Sequence, residues 1–292
     1  SAFRGQSVRY QPFNQPSPYL QQWNFTLQRQ LPGHWLITTA YAGSRGVHLF
    51  GANYNLNQLD PQNWGLGLSL QNLVSNPFYG QITSGSLSGA TVARSQLLLP
   101  YPDYLTVSTA GNRGASSSYH SFQLTAERSF ANGLTAHLVY TNAKLITDSY
   151  SANIGSEDPG DFRIGRFNRR LDRSIDQTDI AQRLVVSALY ELPIGRSKPF
   201  LNVRNRVANG LFGGWQLNVV ANMQSGDALA VRGASNFTGI NWPDVVSDPT
   251  LPKSERSVLR WFNTDAFRNP ANWTIGNVGR YLPSTRGPGM VN

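Results

Sequence analysis

The chain has 292 residues, 40% hydrophobic and only 14% charged, with a formal net charge of +9 and no cysteine. Charge this low, against roughly 25% in ordinary soluble domains, fits a β-protein with wide uncharged polar surfaces, and the missing thiols exclude disulfide frameworks, thiolate metal sites and cysteine nucleophiles. No run approaches the ~20 apolar residues of a membrane helix, which leaves open strands that alternate and cross as a barrel.

The first element is "WNFTLQRQLPGHWLITTAYAG", Trp23 to Gly43. Trp23, Phe25, Leu27, Arg29 and Leu31 share one parity, with Asn24, Thr26, Gln28 and Gln30 on the other. After the Pro32-Gly33 break, Trp35, Ile37, Thr39 and Tyr41 oppose Leu36, Thr38, Ala40 and Ala42. A two-residue period on both sides of a tight turn predicts a β-hairpin.

"SYHSFQLTAERSFANGLTAHLVYTNAK", Ser118 to Lys144, repeats the plan. Phe122, Leu124, Ala126 and Phe130 oppose Ser121, Gln123, Thr125, Glu127 and Ser129. Ala131-Asn132-Gly133 supplies a short turn with a residue suited to positive φ. The return strand sets Leu134, Ala136, Leu138 and Tyr140 against Thr135, His137, Val139 and Thr141. A fifth strand follows in Gln182 to Pro193, with Leu184, Val186, Ala188, Tyr190 and Leu192 on one face and Arg183, Ser187 and Glu191 on the other. The sixth, Gly214 to Gly226, alternates most cleanly: Trp215, Leu217, Val219, Ala221 and Met223 against Gln216, Asn218, Val220, Asn222 and Gln224. Ala228 to Val231 is a candidate extension of it.

The connections are unequal. Turns inside each hairpin are two or three residues, whereas Ser44–Ser117, Leu145–Ala181 and Gly233 onward are long. Compact soluble domains rarely hold structureless loops beyond ~12–15 residues; short turns at one end and long loops at the other are the pattern of an outer-membrane barrel. The link from Ile194 to Gly213 is longer than that pattern requires and suggests a short helix. With short turns on the periplasmic side, Trp23, Tyr41 and Tyr140 fall at the outer strand ends. Trp35, Phe130, Tyr190 and Trp215 fall at the inner ends. Together they form the two aromatic girdles of an apolar band. Strands of ~9–11 residues are what a tilted crossing needs. The polar parity would then line the lumen: Asn24, Thr26, Gln28, Gln123, Thr125, Gln216, Asn218, Asn222 and Gln224. The competing fold is a soluble β-sandwich whose apolar faces meet in a core.

"DIAQRLVVSALYELPIGRSKPF…GLFGGWQLNVVANMQSGDALAV", Asp179 to Val231, resembles the barrel of TonB-dependent outer-membrane receptors. It is most similar to the Oar-like branch, which carries a carboxypeptidase-regulatory-like domain at its N-terminus. Tyr19 to Leu49, Leu98 to Leu134 and Trp261 to Asn292 fit that branch in the same order. The resemblance implies an all-β fold: an antiparallel transmembrane segment of a barrel of about 22 strands with long extracellular loops. Residues 1–292 would be a partial outer-membrane barrel domain, with signal peptide, plug and early strands before Ser1 and further strands after Asn292. It also implies an energised receptor of the Gram-negative outer membrane, whose plug moves when the TonB energy-coupling complex pulls on it, importing a solute. A binding or adhesion barrel without active transport is the alternative.

Three lysines leave the positive excess almost entirely to arginine, which suits phosphate and carboxylate groups. Arg163, Arg166, Arg169, Arg170 and Arg173 cluster in an expected extracellular loop, where they would contact lipopolysaccharide phosphates or an anionic ligand. The plainer reading pairs them with Asp161, Asp172, Asp176 and Asp179. A nucleic-acid role lacks the interleaved aromatics needed for base stacking. His34, His48, His120 and His137 have no metal spacing and read as lumen or turn residues. No cofactor, metal site or catalytic constellation is expected.

Overall fold

The computed structural model describes residues 3–51, 55–149, 169–200, 205–234 and 242–292. In chain order the elements are β1 (Val8–Tyr10), β2 (Tyr19–Leu31), β3 (Trp35–Leu49), β4 (Leu73–Ser75), β5 (Thr91–Ala93), the single-turn α1 (Arg94–Leu97) and β6 (Val107–Thr109). They continue through β7 (Ala115–Ala131), β8 (Leu134–Thr147), β9 (Ser174–Ile175), β10 (Gln182–Glu191), α2 (Arg206–Phe212), β11 (Gln216–Gln224), β12 (Asp244–Val245), β13 (Phe267–Arg268) and β14 (Met290–Val291).

One antiparallel sheet dominates, in the order β14-β11-β10-β8-β7-β3-β2, with β9 added beside the end of β8. Its six long strands are sequential neighbours, so each junction needs only a turn or a loop on the same side. Pro32, Gly33 and His34 turn β2 into β3, with Gly33 at φ 82° and His34 at φ 63°. Asn132 and Gly133, at φ 52° and 80°, form the two-residue reversal between β7 and β8, in the left-handed region these residues tolerate best. Glu191 donates its N–H to the Gly133 carbonyl at 2.7 Å. The β10–β11 link therefore lies at the same end of the sheet as the two tight turns.

The strands depart from the expected length. β2, β3, β7 and β8 run 13, 15, 17 and 14 residues. Beyond the apolar stretch they continue as polar and small residues, from Gly43 to Leu49 against Ala115 to His120, whose pairing a hydrophobicity pattern does not reveal. Only β10 and β11, at 10 and 9 residues, match. Ala228 makes an isolated bridge to Arg286 instead of prolonging β11, which ends at Gln224.

The described parts of the long connections are folded. Ile82, Leu87 and Val92 form a small buried cluster with Val74, Phe78 and Leu97 beneath the β4–β5 pair. β1 pairs in parallel with β6, and β12 with β13 in antiparallel. Two buried asparagines fix loop backbone: Asn57 Nδ2 donates to the carbonyls of Tyr101 and Tyr104, both at 2.9 Å, and Asn76 Nδ2 to those of Leu87 and Gly89 at 2.8 and 2.7 Å. Asp179 and Arg286, both largely buried, pair and tie the β9–β10 connection to the final segment. Asp179 also accepts the Leu145 N–H at 2.6 Å, so the cap is anchored on β8. Most buried apolar side chains lie in this cap, including Leu70, Leu251, Ala266 and Val278; in the six long strands only Ala115 and Ala136 are buried apolar residues.

Candidate lipid-facing and lumen-facing surfaces

Register sorts the sheet into two faces. Phe25 pairs with Tyr41, Tyr41 with Phe122, and Phe122 with Asn142. The next row runs Leu27, Thr39, Leu124, Tyr140, Leu184 and Met223, and the one after it Arg29, Ile37, Ala126, Leu138, Val186 and Ala221. The apolar parities of all six strands thus coincide on one face. No second sheet covers it among the described residues: Phe25 is 62% exposed, Leu27 59%, Phe122 47% and Leu217 54%. A sandwich would bury these side chains, since its stability comes from facing apolar surfaces.

Aromatics border this face at both ends, and the borders run obliquely. At the cap end, the row of Trp23 passes through Gly43 and His120 to Lys144 in three strand steps; Tyr140 lies four residues nearer the turns than Lys144. At the turn end, the row of Trp35 passes through Arg128, Ala136 and Ala188 to Val219 in four steps; Trp215 lies four residues beyond Val219. Tyr190 pairs with Leu217 on the same face. Phe130 lies in an irregular stretch of β7. The register shifts between Arg128 and Ala131, so one extra residue of β7 is accommodated there as a bulge, and strict alternation ends at Arg128. Arg128 itself lies over the Trp35 ring, 5.8 Å from its centroid.

Trp23 lies across the backbone of Gly43, where an added Cβ would come within 2.5 Å of the indole. Beside it, Tyr41 Oη and His120 Nδ1 share a 2.6 Å hydrogen bond and the two rings stack with centroids 6.1 Å apart. His120 therefore belongs to the apolar face at its aromatic border; reading it as a lumen or turn residue missed its even parity in β7. His34 is in the turn, as expected, and His137 is on the polar face, 3.4 Å from Glu127.

The opposite face carries Asn24, Thr26 and Gln28 on the edge strand, Gln123 and Thr125 in the middle, and Gln216, Asn218, Asn222 and Gln224 on β11. Several bond laterally: Gln28 Nε2 to Thr38 Oγ1 at 3.2 Å, Arg183 Nε to Asn222 Oδ1 at 3.1 Å and Gln216 Nε2 to Glu191 Oε1 at 3.3 Å. Val139, Val185 and Leu189 interrupt it. At its turn end lie the pair Glu127–His137 and the pair Lys198–Glu191, the latter at 3.3 Å; parity placed Glu127, His137 and Glu191 there without singling them out, and Lys198 reaches Glu191 from the β10–β11 link.

Of the arginine cluster, Arg163, Arg166 and the side chain of Arg169 lie outside the described residues. Arg170 is exposed. Arg173 donates to Ser116 Oγ and Ser118 Oγ at 2.7 and 2.8 Å, with Asp148 at 3.9 Å. Those serines share parity with Phe122, so Arg173 stands on the apolar-face side just beyond the aromatic border. The structure adds Arg45, opposite Ser118, and Lys144, opposite His120; neither makes an ion pair among the described residues. Of the acids in the plainer reading, Asp179 pairs with Arg286 and Asp176 accepts the N–H and hydroxyl of Thr178, while Asp161 lies outside the described residues. In the cap, Asp248 accepts the Thr250 N–H, which holds its carboxyl below its ordinary value. No cluster of three metal-ligating side chains occurs among the described residues.

No curated protein and no solved structure matches the chain. A family model described as an outer membrane beta barrel domain matches residues 1–292. The uncovered apolar face and the sequential antiparallel sheet agree with that match, and the chain belongs to this outer-membrane β-barrel family, in the bacterial outer membrane.

Proposed function

We propose that the six-strand sheet is a section of a large transmembrane barrel, about 22 strands in all, that serves as an energised receptor importing a solute. The oblique aromatic borders carry the membrane reading. Four residues in three or four strand steps, at ~3.4 Å along a strand and ~4.8 Å between strands, correspond to a tilt of roughly 35–43°, inside the ~35–45° of outer-membrane barrels. Among the described residues the edge β2 has no outer neighbour, and β11 is paired on its far side only by β14. Unpaired edges inside lipid are untenable, so further strands close the barrel.

The receptor reading rests on the resemblance to TonB-dependent receptors and on two surfaces suited to it. A face rich in amides and hydroxyls would line a solute path or hold a plug, and a folded cap adjoins the strand ends away from the tight turns. Arg45, Lys144 and Arg173 would meet phosphates of outer-leaflet lipopolysaccharide. The folded cap also favours the second reading, a binding or adhesion barrel. Photo-crosslinking of the full-length protein in cells separates them: capture of the energy-coupling protein supports transport, and its absence under conditions that capture a known receptor supports adhesion.

A further inference from the structure

The β10–β11 link holds an exposed apolar surface at α2. Asn205 starts α2 by accepting the N–H of Val207 at 2.9 Å, and Gly213 ends it. Asn209, in the middle, accepts the Arg196 N–H at 2.7 Å and so turns one side of the helix toward the preceding loop. At 100° per residue, Val207 and Leu211 project from the opposite side. They are 75% and 63% exposed, and Phe212 is 57% exposed. A seven-residue helix has little stability of its own and is normally held by burial of such a face.

This surface is continuous with the apolar face of the sheet. Trp215 follows the helix, donates its indole N–H to the Leu211 carbonyl at 2.9 Å, and is itself 61% exposed at the turn-end aromatic border. Val207 and Leu211 share one side of α2, and the indole bond to the Leu211 carbonyl brings Trp215 to the C-terminal end of the helix. Arg206 flanks it, where a guanidinium reaches lipid phosphate while its stem stays on apolar surface.

We propose that α2 is an interfacial anchor: it lies in the headgroup boundary of the leaflet at the turn end of the barrel, with Val207 and Leu211 immersed beside Trp215. The inference rests on the lipid-facing reading of the sheet and extends it to a segment outside the strands. A short amphipathic helix in this plane buries its apolar side by some 5–10 Å, which explains why the link is long at the end where the other connections are tight turns.

The test uses single cysteines at Leu211, Leu138 and Arg196 in the full-length protein, with any cysteine outside these 292 residues replaced. Each is labelled with an environment-sensitive fluorophore in phosphatidylethanolamine–phosphatidylglycerol vesicles. Lipids carrying a nitroxide at shallow or deep acyl positions serve as quenchers. The expected result is strong shallow quenching and a blue shift at Leu211→Cys, deep quenching at Leu138→Cys, and a water-like signal at Arg196→Cys. Deep quenching at Leu138→Cys with a water-like signal at Leu211→Cys overturns the anchor and leaves the barrel reading standing. Water-like signals at both positions overturn both.

Discussion

Leu138→Arg probes the apolar face at its centre. Leu138 lies between Ala126 and Val186 in the sheet, two residues from Tyr140 toward the cap and four from Leu134 toward the turn. At ~3.4 Å per residue and a tilt near 35° those distances are about 6 and 11 Å of membrane depth. An arginine near the midplane of a barrel's lipid face costs about 2–4 kcal/mol, falling to about 0–1 near the interfaces. Part of that is recovered if the side chain snorkels toward the Tyr140 border, so about 2–3 kcal/mol is expected, a roughly 30- to 140-fold loss in the folding constant at ~1.4 kcal/mol per decade. Thr125→Arg, on the polar face opposite Thr38 and Val139, is the control and is expected to stay within about 1 kcal/mol because water reaches a barrel's lumen. Urea titration of the full-length protein in vesicles, read by heat-modifiable mobility, gives both numbers. Equal losses for the two variants, or a larger loss for Thr125→Arg, would refute the assignment of faces.

Other substitutions test separate parts of the account. Asp179→Ala strands Arg286, which is largely buried, and loss of one partner of such a pair costs about 3–5 kcal/mol; hydrogen exchange should rise in residues 282–289 while the heat-modifiable barrel persists. Gly43→Val forces the Trp23 indole off the strand and should destabilise by about 1–3 kcal/mol, as overpacking does. Most of that loss should vanish in a Trp23→Ala background, the coupling being read from a double-mutant cycle. Arg45→Glu combined with Lys144→Glu should lower the phosphorylated lipid that co-purifies with the protein, measured as phosphate per protein, whereas Lys253→Glu in the cap should not.

The two faces were legible because a period of two is written directly into residues such as Trp23, Phe25 and Leu27, and a register slip of one would invert them. Tight turns were equally plain, since Pro32-Gly33 and Asn132-Gly133 carry the required backbone conformations. Strand ends were not: past Gly43 and before His120 the sequence turns to serine, glycine and arginine, and only pairing shows that the ladder continues. The bulge beyond Arg128 was also illegible, because it breaks parity without a composition signal. The cap was invisible for a different reason. Its contacts join residues far apart, such as Asp179 with Arg286 and Asn57 with Tyr101, and no local pattern encodes them. The same holds for the cationic group: Arg173 was singled out from a run of arginines, but Arg45 and Lys144 joined it only through strand pairing.

The most direct measurement is carbene photolabelling from acyl chains, with the full-length protein in membranes and the tags located by mass spectrometry along β7 and β8. Tags are expected on Phe122, Leu124, Leu138 and Tyr140, with Gln123, Thr125 and Val139 unlabelled. Tags on both parities alike, or on none of these residues, would contradict a lipid-facing apolar surface.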